Sequence, residues 1–193
     1  MRIISGTHRS RRFEIPKNFK SRPTTDFAKE NIFNIIANLI DLESTSALDL
    51  FSGTGSIAFE LISRGSREVT AVENEATHYN FIRKTQATLN AENLTVIRTD
   101  AFRYIRTTRH TFDLIFADPP YTSKRLAQIP ALIFANNLLN PNGIFILEHP
   151  KEHNFRTVPQ FIRHTVYGSV NFSIFRNHFP PLSTFITISS DFL

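Results

Sequence analysis

Apolar positions along this chain change their spacing in a regular way. Near-continuous apolar runs at 47–51, 68–72, 94–98, 112–117 and 144–147 alternate with segments whose apolar residues recur every three or four positions. Short apolar runs bounded by turn residues read as buried strands, and the longer period reads as amphipathic helix. Helices are therefore predicted at 27–40, 56–64, 77–90 and around 126–137. In the first, Ala28, Ile32, Phe33, Ile36 and Leu39 share a face, and Thr24, Thr25 and Asp26 offer N-caps. Gly65 stops the second, and Asn140-Pro141-Asn142-Gly143 follows the last as a turn.

The ends of the chain break this alternation. Segments 2–5 and 11–15 flank Gly6-Thr7-His8-Arg9-Ser10 and read as a hairpin that Pro16 ends. Arg22-Pro23 keeps the following chain extended. Beyond Pro150, the runs 161–167 and 170–175 are predicted to pair antiparallel across Gly168-Ser169. The alternating stretch 183–189 suggests no role. The organisation expected is a basic hairpin extension over 1–22, a catalytic domain over 23–176 and a tail over 177–193.

Strands this apolar imply a parallel sheet with helices on both faces, an α/β fold. Such sheets bind ligands at the carboxyl ends of their strands. Gly53, Glu73, Asp100 and Asp118 all fall just past predicted strand ends, so one side of the sheet should collect them.

Composition narrows the chemistry. The 22 Lys and Arg against 17 Asp and Glu leave a net charge of +5, compatible with a polyanionic partner but weak support for one by itself. The distribution is more informative. Arg2, Arg9, Arg11, Arg12, Lys17, Lys20 and Arg22 crowd the start of the chain, opposed there only by Glu14. Such a basic arm fits phosphate contacts. With no cysteine, disulfides, thiolate metal sites and cysteine nucleophiles are excluded. Neither a signal core after Met1 nor a membrane-length apolar run occurs, so a cytoplasmic protein with no membrane partner is expected.

Asp49-Leu50-Phe51-Ser52-Gly53-Thr54-Gly55 turns a strand through a glycine loop into a helix. Glycines there allow positive φ and close approach, and the helix N-terminus behind them attracts a carboxylate or phosphate. Such a loop also begins a dinucleotide site; the pattern from Gly53 closes in Ala58, a permitted variant. Asp49 lies where methyltransferases place an acid near a methionyl amine. Glu73, followed by Asn74, ends the next strand, where a carboxylate can take both hydroxyls of a ribose. Asp100, followed by Ala101 and Phe102, can accept from an adenine amine, although for Asp100 by itself an exposed strand-end carboxylate is a real competing reading.

Asp118-Pro119-Pro120-Tyr121 is the most specific signal. Two prolines remove two backbone donors and stiffen the turn, leaving carbonyls as acceptors. The Asp118 carboxylate and the Pro119 carbonyl can hold one NH2 group and favour the positive charge that appears as its nitrogen attacks a methyl. Tyr121 can stack on a base that is unstacked or flipped. Tyr121 and Phe102 are expected to meet rings, and the other phenylalanines to fill the core. His149 and His153 lie four apart, but Pro150 opposes the helix that would bring them to one metal, and no metal is expected.

Taken together, these residues resemble the RsmD family of 16S rRNA guanine-N2 methyltransferases. The likeness runs from Met1 to about Arg176. It rests on Arg2-Ile3-Ile4-Ser5-Gly6 with Arg9, Arg11 and Arg12, on Arg22-Pro23-Thr24-Thr25-Asp26, on the glycine loop with Ser63-Arg64-Gly65, on Val72-Glu73 and on Asp118-Pro119-Pro120-Tyr121. The resemblance implies a Rossmann-like class I methyltransferase fold with a seven-stranded, mostly parallel sheet and an N-terminal β-hairpin that grips RNA. It implies S-adenosyl-L-methionine as cofactor, held by Asp49, Ser52, Gly53, Gly55, Glu73, Asn74, Asp100, Ala101 and Phe102. It places Arg22, Thr24 and Thr25 over cofactor and target base, and the substrate within the 30S subunit or its assembly intermediate, with the enzyme a monomer. This chain departs from the family in carrying Phe27 and Lys29 where two arginines are usual, and in Ser56-Ile57-Ala58 after the glycine loop. An adenine-N6 methyltransferase and a non-catalytic RNA-binding assembly factor are the competing readings.

Overall fold

The computed structural model describes residues 1–16, 19 and 25–177. Lys17, Lys20, Arg22, Pro23 and Thr24 lie outside the described residues, as does the tail from 178 onward with its 183–189 stretch.

Seven strands form one sheet in the order β3-β2-β1-β4-β5-β7-β6. They are β1 (Ser46–Leu50), β2 (Glu68–Glu73), β3 (Leu94–Arg98), β4 (Phe112–Ala117), β5 (Leu139–His149), β6 (Phe161–Tyr167) and β7 (Val170–Arg176). Strands β1 to β5 pair in parallel, and β7 joins antiparallel between β5 and β6. The chain winds outward from β1 to β3, then returns to the other side of β1 with β4. In open α/β sheets, ligands bind at such a reversal, outside the carboxyl ends of the strands.

The helices are α1 (Asp26–Leu39), α2 (Ser56–Ser63), α3 (Ala76–Leu89), α4 (Ala101–Thr107) and α5 (Ile129–Ala135). Because strand side chains alternate, each strand divides its residues between two cores. Ala47, Ala71, Phe116 and Ile146 pack with Ile32, Phe33, Ile36 and Phe59 of α1 and α2 on one face. Leu48, Leu50, Ile115 and Phe145 pack with Phe102, Ile105, Ile129 and Ile133 of α4 and α5 on the other.

Three details differ from the sequence reading. Helix α4 was not expected; Asp100 caps it by accepting from the Arg103 N–H at 2.8 Å. The helix expected around 126–137 divides into a 3-10 turn, Leu126–Gln128, and α5, with Pro130 in the first turn of α5. Strand β5 starts at Leu139, so the expected Asn140–Gly143 turn is absorbed as an irregular stretch where the β4–β5 register slips and Asn142 takes φ 61°.

The N-terminal segment pairs with itself antiparallel, as a hairpin should. Arg2 bridges Arg12, and the Ile3 N–H donates to the Arg11 carbonyl at 3.0 Å. The pair lies along α2. Buried Glu60 accepts from the Ile4 and Ser5 N–H groups at 2.8 and 3.0 Å and from the Arg64 guanidinium at 2.8 Å. Lys29, 1% exposed, donates to the Arg2 carbonyl and to Ser56 Oγ and stands 3.8 Å from Glu60. Burial pulls its ammonium below the ordinary lysine range, and Glu60 opposes that shift. Gly6, at φ 80°, sits so close to Ser63 that an added Cβ would overlap its carbonyl oxygen at 1.7 Å. Lys29 thus ties the arm to the domain from inside.

Candidate functional site

The alternation that divides the cores also gathers the acids. Ala47, Ala71, Phe116 and Ile146 face the α1–α2 side of the sheet. Two residues further along each strand, on the same side, come Asp49, Glu73, Asp118 and Glu148. Four carboxylates therefore stand on one face at the carboxyl ends of β2, β1, β4 and β5, which are neighbours in that order.

The glycine loop is built by main-chain bonds to two of them. Gly53 and Gly55 take φ 54° and 73°, and Phe51 takes 61°, a rare value for a residue with a side chain. The Gly53 N–H donates to Glu73 Oε2 at 2.7 Å, and the Glu75 N–H donates to Oε1 at 2.7 Å. Asp49 accepts from the Ala58 N–H at 3.1 Å, and Ser52 Oγ donates to the Asp49 carbonyl at 2.8 Å. Burial raises the Asp49 carboxyl to about 7, despite these hydrogen bonds, and the Glu73 charge adds to the rise. A Cβ on Gly55 would meet Phe59 Cε2 at 2.8 Å and Ile82 Cγ1 at 3.1 Å.

The proline turn is joined to this loop. The Asp118 N–H donates to the Leu50 carbonyl at 3.3 Å, three residues before Gly53. Pro119 is buried, whereas Pro120 and Tyr121 are exposed, Tyr121 at 45%. The Pro120 carbonyl accepts from the Ser123 N–H at 2.8 Å, which closes the turn. Of the two proline carbonyls expected as free acceptors, that of Pro120 is taken by this bond. The Tyr121 hydroxyl donates to Glu148 Oε1 at 3.1 Å.

The other candidates fall as follows. Asp100 is exposed and already caps α4, and Ala101 is buried behind it. Phe102 is 4% exposed, with Phe51 edge-on and the Arg125 guanidinium 3.6 Å over its ring. It packs as a core residue, and a base could stack on that face only by displacing Arg125. Asn74 is exposed, and its carbonyl accepts from Arg98 Nε at 3.5 Å. Thr25 caps α1 through the Ala28 N–H at 3.2 Å. Arg9, Arg11 and Arg12 are exposed, and Arg2 pairs with Asp26 at 2.8 Å. Because the arm follows α2 from Ser56 to Ser63, Arg2 and Arg12 lie nearer the acids than the Gly6–Ser10 tip.

Sequence reasoning missed Glu148, Arg125 and Phe19. Phe19 stacks on His78 with ring centroids 4.2 Å apart, and His78 Nδ1 is 3.8 Å from Glu73, so the Phe19 ring lies near the β2 end of the rim. Glu148 had a usable signal: it ends an apolar strand, as Glu73 does.

Comparison with known proteins places these features. The family described as conserved hypothetical protein 95 matches residues 1–176. "Ribosomal RNA small subunit methyltransferase D" of Buchnera aphidicola is 31% identical over 82% of this chain and 81% of its own. The protein of that name from Escherichia coli is 29% identical over 91% and 89%. The solved structure of Escherichia coli yhhF superposes with a TM-score of 0.81 at 27% identity, covering 92% of this chain and 98% of that one. Among the described residues, no helix is long and apolar enough to cross a membrane.

Proposed function

The chain belongs to the RsmD family, the family described as conserved hypothetical protein 95, and from that membership and the rim geometry we propose that it methylates small-subunit (16S) rRNA at the N2 amine of a guanine, using S-adenosyl-L-methionine. The observation that carries the reading is the bond from the Asp118 N–H to the Leu50 carbonyl, which sets the amine-binding turn against the glycine loop held by Glu73. The names of the relatives support rRNA as the substrate.

The residues fit the cofactor. The loop has φ values open to glycine, and two carboxylates border it. When bound, S-adenosylmethionine supplies an electrophilic methyl on a sulfonium. Asp49 would hold the methionyl amine, beside Ser52, Gly53 and Gly55. Glu73 uses each oxygen once, and a carboxylate has accepting capacity beyond that for two ribose hydroxyls. Asn74, Asp100, Ala101 and Phe102 border the adenine end.

On the acceptor side, the Asp118 carboxylate and Pro119 carbonyl orient the amine and stabilise the charge growing on its nitrogen. The amine's proton passes to Asp118 or to water. Tyr121 stacks on the base, and Arg2, Arg9, Arg11, Arg12, Arg22, Thr24 and Thr25 hold RNA. The setting would be the cytoplasm, with one enzyme monomer acting on a 30S particle.

Transfer of labelled methyl to undermethylated 30S particles, followed by nucleoside mass spectrometry, tests the proposal. N2-methylguanosine is expected. N6-methyladenosine would move the assignment to an adenine methyltransferase, and particle binding without transfer would make the protein an assembly factor.

A further inference from the structure

We propose that Glu148 selects the base, accepting the guanine N1–H beside the amine held by Asp118. This inference rests on the guanine reading above and goes beyond it by naming the residue that distinguishes guanine from purines lacking that proton.

Glu148 is 4% exposed and stands on the same sheet face as Asp118. Leu147 is the register partner of Ala117, so Glu148 follows it within β5 and Asp118 follows the last residue of β4. Neighbouring strands run about 4.8 Å apart. At that spacing two carboxylates can accept from adjacent donors on one base edge. The hydrogen bond from Tyr121 ties Glu148 to the turn that would stack on the same base. A carboxylate carries a desolvation cost at such a position, and a purely apolar strand end would pack without one. Beyond its partners within the protein, a carboxylate keeps accepting capacity that a ligand donor can use.

Guanine brings two kinds of donor along one edge, N1–H and N2–H. Flipped bases are read along that Watson–Crick edge. Adenine presents its amine next to an unprotonated N1, whose lone pair would face the Glu148 oxygens. Asp118 and Pro119 treat the two amines alike, so the discrimination has to come from a neighbour of the amine. Sites that hydrogen-bond a substrate proton reject analogues lacking it by up to about 10⁴–10⁵-fold.

The test compares guanine with 2-aminopurine, which keeps the amine but has an acceptor at N1. Each is placed at the mapped position of 16S rRNA in reconstituted particles. Wild type is expected to favour guanine by at least about 100-fold in kcat/KM. Glu148→Gln, whose amide can donate to N1, is expected to reduce that preference by at least about 100-fold. Tyr121→Phe removes only the brace and should lower both substrates alike. If Glu148→Gln changes both substrates equally, or neither, the inference falls while the guanine reading stands. Should that variant fail to fold, a wild-type preference under about 10-fold overturns the inference on its own. If wild type methylates no guanine N2 at all, the functional reading has failed, and Glu148 has no guanine to select.

Discussion

At the β1–β2 end of the rim, Asp49 and Glu73 take their hydrogen bonds from main-chain N–H groups of Ala58, Gly53 and Glu75. At the β4–β5 end, Glu148 accepts from a side chain, Tyr121, which is itself almost half exposed. The first arrangement cannot relax without moving the glycine loop. The second joins two side chains from separate stretches of chain. A small, invariant ligand suits the first half. A base that must be brought in by a large RNA suits the second, because the RNA can cover what the protein leaves open.

Separating the two halves by mutation gives the largest expected effect. Asp118→Ala should lower kcat about 10³-fold, in line with the loss of one preorganised charge-stabilising group, and leave cofactor affinity within about threefold. Single-turnover transfer and calorimetry would measure the two quantities. A parallel collapse of cofactor affinity would mean that the halves form one unit and that the contrast drawn between them is wrong.

Next in size is the proton on Asp49. The folded carboxyl titrates near 7 and the unfolded one at 3.8, so between those values the folded chain retains a proton that the unfolded chain has lost. Its contribution to stability is complete below about pH 4 and is lost as pH rises through 7. A cationic amine beside Asp49 would lower its pKa again. Cofactor binding near pH 6 should therefore release up to about one proton, and affinity should weaken as pH falls. Calorimetry in buffers of different ionisation enthalpy reads the release. Asp49→Asn should abolish it and flatten the stability profile between about pH 4 and 8; unchanged proton release would remove Asp49 from the amine site.

Much of this division can be seen in the amino acids. Strands β3 and β4 form with the predicted bounds because their apolar runs end in turn residues on both sides. Asp49, the glycines and Glu73 are readable because a tight βα turn needs particular residues at fixed offsets. Short α4 was harder: Arg103 and Arg106 interrupt its apolar pattern, and its cap, Asp100, had another explanation. Glu60 shows the limit most clearly. It sits in the apolar run Ile57-Ala58-Phe59-Glu60-Leu61-Ile62, and besides Arg64, four residues on, its partners Ile4, Ser5 and Lys29 come from two distant stretches of chain. A pairing made only by tertiary packing leaves no local period to detect. The same holds for Tyr121 and Glu148, which are 27 residues apart.

The rigidity of the donor half can be tested directly. Gly55→Ala places a Cβ 2.8 Å from Phe59, a fully buried ring, at φ 73°. Strain at positive φ and overpacking together should cost about 2–3 kcal/mol. Chemical denaturation would read this as a lower midpoint with an unchanged slope. A shift under about 0.5 kcal/mol would mean that the loop yields, and the donor half would then be no stiffer than the acceptor half.

Tyr121→Phe is the smallest change and bears on the other side of the comparison. It keeps the ring that would stack on the base and removes only the hydroxyl that donates to Glu148. A hydrogen bond from a half-exposed hydroxyl to a carboxylate contributes about 1 kcal/mol, since water replaces much of it when it is lost. The expected result is a fall of about three- to tenfold in kcat/KM for RNA, with stability and cofactor affinity unaltered. The fall should appear mainly in KM, because the ring still stacks but is less firmly aimed before the base arrives. If kcat instead dropped as far as in Asp118→Ala, the hydroxyl would be acting in the chemistry itself. The acceptor half would then be as tightly specified as the glycine loop, held by side chains but no more forgiving for it.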